Sequence, residues 1–341
     1  MSWLQIQHDS LSMRDTEEGI YMIKSTFQHL FSKGLNLLRV TSPLFVQSGD
    51  GINDDLNGVE KPVSFNIRGD DSKIEIVHSL AKWKRIALKR FGMEPGHGVL
   101  TDMNAIRADE TLDEIHSVYV DQWDWERAIR TEDRSLDFLK NTVKQIYQVL
   151  KDTEITVCKE FPVYTPVLPN NITFIHSQDL EDRFPDLTPQ QRENAVCREH
   201  GAVFLIGIGG ALKSGRAHDG RAADYDDWST QSSPGHYGLN GDILLWNSTL
   251  GRAYEISSMG VRVDQSSLLR QLMIRGEESK KSLLYHRMIL SNTLPLSIGG
   301  GIGQSRLCMF FLRKQHIGQV QSSVWPETMR RELSAKGINL L

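Results

Sequence analysis

Residues 297–312 read SIGGGIGQSRLCMFFL: four glycines within five positions, an arginine three residues after the last of them, then an apolar run. A phosphate-cradling loop requires a lysine followed by Ser or Thr after its last glycine, and none follows here. A dinucleotide fingerprint requires a third glycine where Gln304 stands. The second cluster, IGIGG at 206–210, fails in the same way at Leu212. What remains is a loop whose glycines permit positive φ or close backbone approach, feeding a helix with Arg306 in its first turn. Such a loop presses a flat ligand against backbone while a guanidinium covers its other face or grips a phosphate. The alternative is a tight turn with Arg306 solvated.

Carboxylates cluster in three further stretches. In HSVYVDQWDWER, Asp121, Gln122, Asp124 and Glu126 interrupt an aromatic-rich run of β type, so one parity faces an interior or the strand is half exposed. GDILLWN and YEISSMGVR place Asp242 and Glu255 on adjacent candidate strands. Two carboxylates facing across a sheet repel unless a cation lies between them, and hard oxygen ligands suit Mg²⁺ holding a polyphosphate. DYDDWST at 224–230 adds three acids, for which a solvated loop is the expectation. The histidines show no metal-ligand spacing, and most are expected at the surface or hydrogen-bonded.

These residues need elements to position them. From Thr16 to Lys33, Ile20, Ile23, Phe27 and Leu30 recur at helical spacing, with Gly34 as the expected cap. LNLLRVTSPLFV is extended and contains Pro43. KIEIVHSL alternates, and at His78–Ser79 the chain turns helical through AKWKRIALKRFG, with Leu80, Trp83, Ala87 and Phe91 on one side and the basic residues available for a wet face. Leu136, Leu139, Val143, Ile146 and Leu150 mark a long amphipathic helix. ITFIH, GAVFLIGIG, GDILLWN and RAYEISSMGVRV read as strands. LTPQQRENAVCREHG opens with a capping box at Thr188 and Gln191, has Pro189 at the first helical position and Gly201 beyond the end. Strands with helices between clusters, rather than strict alternation, predict an α+β fold: a mostly antiparallel sheet flanked by helices.

Composition bounds the reading. The chain has 341 residues, 39% hydrophobic and 24% charged, with a formal net charge of −4, a globular balance with no overall basic footprint for nucleic acid or an anionic membrane. One domain, 1–341 with a core at about 16–326, is the simpler organisation. Cys158, Cys197 and Cys308 are far apart and form no Cys-x-x-Cys, which argues against a zinc site or a disulfide framework and for a reducing compartment. The N-terminal residues show no leader pattern, and no stretch approaches the roughly 18 apolar residues of a membrane span; a cytoplasmic location is expected.

Taken in order, the segments GDGINDDLNGVEKPV, HSLAKWKR, HSVYVDQWDWER, ADYDDWST, GLNGDILLWN, EISSMGVRVD, SIGGGIGQSRL and IGQVQSSVWP resemble ammonia-dependent asparagine synthetase, the aspartate–ammonia ligase family. Its catalytic domain is similar to that of class II aminoacyl-tRNA synthetases, the aspartyl type in particular. The resemblance covers nearly the whole chain. Ala223 stands where the family has proline, and the tail beyond Trp325 is extended; ELSAKGINLL permits a short terminal helix.

The resemblance implies an ATP-dependent, AMP-forming ligase that makes L-asparagine from L-aspartate and ammonia through a β-aspartyl-adenylate. Arg306 and the glycines, Gly301 and Gly303 among them, match the third class II signature at ATP; Arg107, in NAIRADE, matches the second and would grip the α-phosphate. Pro43 falls in the first, which forms a dimer interface and implies a homodimer. Asp242 and Glu255 match metal-binding carboxylates for Mg²⁺, with Ser258 beside the nucleotide. The aspartate pocket is implied to draw on Asp54, Ser79, Lys84, Gln122, Asp124, Asp226 and Arg262, with Lys84 and Arg262 at substrate carboxylates and Asp54 and Asp124 at the ammonium or the incoming ammonia. Catalysis would rest on Asp54, Lys84, Arg107, Gln122, Asp124 and Arg306. Residue 2 is Ser rather than the cysteine nucleophile of glutamine-dependent synthetases, so ammonia is the expected donor. Two alternatives stand: an aspartyl- or asparaginyl-tRNA synthetase, which should bring a basic tRNA surface, and a catalytically silent paralogue, which should have lost arginine or metal ligands.

Overall fold

A computed structural model describes residues 11–54, 56 and 60–341. Residues 1–10, which open the expected leaderless N-terminus, and 55 and 57–59 of the GDGINDDLNGVEKPV segment lie outside the described residues.

The first helix, α1, spans Met13–Leu35 and starts at a reciprocal cap, Ser12 accepting from the Asp15 amide while Asp15 accepts from the Ser12 amide. It ends at Asn36 in the left-handed conformation (φ 56°), not at Gly34, which continues the helix. Asn tolerates that conformation because its short amide side chain bonds locally. The buried stripe Ile20, Ile23, Phe27, Phe31 lies on the main sheet, where Phe27 meets Trp123 with ring centroids 4.6 Å apart and Phe31 meets Trp125 edge-on at 5.9 Å.

That sheet has eight strands among the described residues. In chain order they are β1 (Leu37–Arg39), β2 (Gly98–Ile106), β3 (Tyr119–Ala128), β4 (Thr173–His176), β5 (Ala202–Ile206), β6 (Asn240–Asn247), β7 (Arg252–Val261) and β8 (Ser297–Gly303). Their spatial order is β1-β2-β3-β8-β7-β6-β5-β4. Only the two outermost pairs, β1 with β2 and β4 with β5, are parallel, so the antiparallel expectation holds through the centre. Helix α3, Leu136–Glu160, lies beside α1 and shares its core with it. The helix Gln304–Phe311 follows β8 directly. The helix Pro189–His200 has its expected capping box, and Gly201 closes it at φ 75°. The terminal helix is Glu327–Ala335.

On the opposite face, Lys73–Ile76 belongs to a small three-stranded sheet, and α2, Ala81–Arg90, follows it. Two expectations for α2 are corrected. Phe91 is 42% exposed rather than packed, and the basic residues do not share one wet face: Lys82, Lys84 and Arg85 are buried, while Lys89 and Arg90 are exposed. Arg85 caps loop carbonyls, donating to the Pro295 and Val263 oxygens. Lys82 and Lys84 reach carboxylates. Apolar stems lie along the core while each cationic tip finds a partner, which is how long basic chains become buried.

The glycine-rich segment is also corrected. Ser297–Gly303 is not a loop but the central strand β8, and none of its glycines has positive φ. Glycine is required by crowding. A Cβ at Gly301 would lie 2.5 Å from Gln122 Oε1 and 2.8 Å from Asp124 Oδ1, and one at Gly299 would run into the Glu126 carboxylate. Successive strand residues face opposite sides, so the glycines beside Gln122, Asp124 and Glu126 thin the floor where those polar side chains stand. On the other face, a Cβ at Gly300 would lie 2.6 Å from that of Met259.

Candidate active site

The polar side chains of β3 are sorted by parity. Trp123 and Trp125 point into the α1 core, while Asp124 and Glu126 are buried on the other face and Gln122 is half-buried. The half-exposed-strand alternative is therefore excluded for this stretch. Asp121 joins the opposite side, where it accepts from Lys24 Nζ at 3.0 Å and the Ser305 amide at 3.0 Å.

Over the even-numbered face of β3 lies a cleft of about 550 Å³. It is lined by Asp54, Ser79, Lys84, Arg107, Gln122, Asp124, Asp226, Glu255, Ser258, Arg262, Gly301, Gly303 and Arg306, so the sequence-derived site residues meet there with one exception. Asp242 does not line it; its carboxylate pairs with Arg221, which does. Sheet register explains the convergence. Asp242 is opposite Ser258, Ser258 opposite Gly301, and Gly301 opposite Asp124, which puts one row of positions across four strands, the last three of them lining the cleft.

At the α2 end, Lys84 Nζ lies 3.0 Å from Asp124 Oδ2 and donates to the Gly300 carbonyl at 2.8 Å. Burial pulls the Lys84 pKa below its ordinary value, with Asp124 working against the fall. The second Asp124 oxygen, Oδ1, has no hydrogen-bond partner among the described residues, and a buried carboxylate oxygen left so is costly. It leaves an open acceptor on a residue that lines the cleft. Asp54 is buried nearby, with its Oδ1 accepting from the Leu56 amide at 3.2 Å; burial raises its pKa, partly offset by Lys82. Ser79 accepts from the Ala81 amide at 3.1 Å at the start of α2. Arg107 reaches the His78 carbonyl at 3.5 Å, and its buried Nε has no partner among the described residues.

The central floor holds Arg262, 2.8 Å from Glu126 Oε2 and paired with Asp226. Burial alone would lower the Arg262 pKa, but Glu126 and Asp226 outweigh it and hold the charge firmly. Ser297 Oγ donates to Glu126 at 2.6 Å. At the far end, Ser258 Oγ donates to Asp242 at 2.6 Å, and Arg306 Nη1 lies 3.7 Å from Glu255 Oε2. Burial pushes the Asp242 pKa up to about 7; Arg221 opposes the shift and Glu255 adds to it.

The solvated-loop expectation for DYDDWST is overturned: Asp224, Asp226 and Asp227 are all buried. Asp224 lies 2.8 Å from Lys82 Nζ and 3.1 Å from His286 Nε2. Asp227 lies 2.6 Å from Arg134 Nη2. Each acid meets a cation from a distant segment, and buried charge requires such pairing. Residues not singled out from sequence also belong here. Arg221 pairs with Asp226 and Asp242; Tyr225 lines the cleft, its hydroxyl held protonated by burial and by Asp54. Nothing in the sequence around Arg221, where Lys213 and Arg216 also stand, sets it apart.

The eight-stranded sheet and its flanking helices have the fold of class II aminoacyl-tRNA synthetases. The asparaginyl-tRNA synthetase of Pyrococcus horikoshii complexed with asparaginyl-adenylate superposes with a TM-score of 0.68 at 17% identity, over 94% of this chain and 73% of that one. For the Entamoeba histolytica asparaginyl-tRNA synthetase with asparaginyl-adenylate the TM-score is 0.65 at 14% identity, over 91% of this chain and 66% of that one. At such identities the likeness is one of fold. The aspartate–ammonia ligase family model matches residues 14–337. Relatives named aspartate–ammonia ligase from Bacteroides fragilis and Clostridium perfringens are each 55% identical over 332 residues, and that from Parabacteroides distasonis 56%, covering 97% of this chain and 96% of each relative. The chain belongs to the aspartate–ammonia ligase family, a family of ligases.

Proposed function

We propose that the protein makes L-asparagine from L-aspartate and ammonia, with ATP cleaved to AMP and pyrophosphate, in one catalytic domain. The observation that carries this reading is the convergence of Lys84, Arg107, Gln122, Asp124, Arg262 and Arg306 on one cleft floored by glycine. The side-chain carboxylate of aspartate attacks the α-phosphorus, pyrophosphate leaves, and ammonia attacks the resulting β-aspartyl-adenylate, expelling AMP. Arg107 and Arg306 stabilise phosphoryl charge as it develops. Lys84 and Arg262 hold the substrate's carboxylates, and Asp54, Asp124 and Asp226 serve nitrogen, with Gln122 and Ser79 fixing orientation. Holding both reactants in one cleft supplies proximity. Ser258, Gly301 and Gly303 give the nucleotide its bed.

Mg²⁺ fits this donor set. Asp242 and Glu255 share Ser258 at 2.6 and 3.4 Å, which brings two hard carboxylate donors together at one end of the cleft. No group of three acid, His or Cys ligands occurs among the described residues. These two carboxylates would therefore hold the ion together with phosphate oxygens and water, as Mg²⁺ commonly is. Bound there, it would neutralise polyphosphate charge.

A homodimer and a cytoplasmic location belong to the same proposal. The dimer is supported by the edge strand β1, whose Leu38 is 52% exposed, and by exposed Leu44 and Phe45 nearby in sequence. The location is supported by the ATP and aspartate the reaction consumes. Nucleic acid is not a partner in this reading.

The test is an incubation with Mg-ATP, aspartate and ammonium chloride, and a parallel one with glutamine for ammonium. Equal amounts of asparagine and AMP, with ammonium preferred, are expected. ADP in place of AMP would refute adenylation; AMP without asparagine would favour a tRNA-charging enzyme.

A further inference from the structure

Acids and guanidiniums alternate across the cleft floor. Glu126 pairs with Arg262, Arg262 with Asp226, Asp226 with Arg221, and Arg221 with Asp242. Ser258 then joins Asp242 to Glu255, which meets Arg306. Arg221 is the link between the two halves of this row. Its Nε lies 3.4 Å from Asp226 Oδ2, while its Nη2 contacts Asp242 and donates to Ser258 Oγ at 3.0 Å. A Cβ at Gly260 would lie 2.8 Å from Asp226 Oδ1, the oxygen paired with Arg262, so glycine there leaves room for the Asp226 carboxylate. Burial disfavours the Arg221 charge, and Asp242 and Asp226 more than restore it.

We propose that Arg221 is a positioning residue that couples the nucleotide end of the cleft to the amino-acid end. This rests on the ligase reading above. One guanidinium divided between Asp226 and Asp242 cannot satisfy both fully. A polyphosphate arriving beside Asp242 and Glu255 gives Arg221 a stronger anionic partner and draws it from Asp226. The released Asp226 oxygen then accepts the ammonium of aspartate. In the reverse direction, that ammonium displaces Arg221 toward the phosphates. Each ligand therefore tightens the other by the same factor, as linkage requires, and such factors commonly run from about 5 to about 150.

The experiment is calorimetric titration of aspartate with and without saturating Mg²⁺ and α,β-methylene-ATP, whose uncleavable bond prevents chemistry, and the converse titration of the nucleotide with and without aspartate. In the wild type aspartate should bind about tenfold more tightly with the nucleotide present, and the nucleotide by the same factor with aspartate. Arg221→Met should still bind both ligands, with the factor falling to about one. Arg221→Lys keeps the charge without the two-sided reach and should give an intermediate factor. An unchanged factor in either folded variant, or a wild-type factor of one or below, overturns the proposal. Should Arg221→Met not fold, Arg221→Lys decides. A wild type that binds neither ligand would instead overturn the ligase reading.

Discussion

Asp54 and Asp124 are carboxylates of one cleft in different surroundings. Asp124 is tied to Lys84 by an ion pair of 3.0 Å, whereas burial is the largest influence on Asp54 and raises its pKa above the ordinary 3.8. A raised carboxylate pKa means that the fold favours the protonated form. Its contribution to stability is present at low pH and is lost as pH rises through the folded value. If ionised Asp54 serves the incoming ammonia, the acid limb of the second half-reaction should fall above the usual aspartate range and disappear in Asp54→Asn. That variant should retain aspartate-dependent exchange of pyrophosphate into ATP. Asp124→Asn should raise the aspartate KM, because it loosens Lys84 as well as removing an acceptor. Neither change altering aspartate KM or ammonia dependence would show the assignment of both acids to be wrong.

Strand β8 joins the glycine pattern to the function. Its residues bond to β3 on one side and β7 on the other, so a side chain added at Gly300 must part strands at the centre of the sheet. Gly300→Ala is expected to lose at least about 1–3 kcal/mol of stability, the usual cost of overpacking, read as a lowered denaturant midpoint. Gly301→Ala presses instead on Gln122 Oε1 and Asp124 Oδ1, and should impair aspartate binding more than stability. If both variants lost only stability, the thin floor would have no part in binding. Helix α1 works from the other face. Phe31→Ala removes the edge contact with Trp125 and should cost about 3–5 kcal/mol, as large-to-small aromatic changes do, measured by urea unfolding.

At the scale of the whole molecule, the charged floor is held by segments far apart in the chain: Glu126 from β3, Arg262 just beyond β7, and Asp226 from the loop before β6. Truncating Arg262 to Ala would leave buried Glu126 without its cation and Asp226 with Arg221 alone. A loss of about 3–5 kcal/mol is expected, together with loss of aspartate binding, and thermal unfolding with ligand titration separates the two. The dimer is tested by sedimentation: a charge at the exposed Leu38 on edge strand β1, as in Leu38→Lys, should shift a dimer toward monomer, and an unaltered species would place the interface elsewhere.

Much of this was legible in the chain. Helical spacing in α1 and α3, the capping box at Thr188, and the alternation in β3 are local patterns whose periods declare their elements. The resemblance of long segments to one family named the candidate site residues, and all but Asp242 line one cleft. What local patterns could not show was which way polar residues face. DYDDWST resembles a solvated loop, and the lysines of AKWK a wet helix face, until cations and acids from remote segments neutralise them and make their burial affordable. The glycines of β8 looked like a turn because glycine serves both positive φ and close approach, and only the neighbouring strands distinguish these uses. Arg221 gives no local sign of its place between Asp226 and Asp242, since that position exists only once three separate segments have packed.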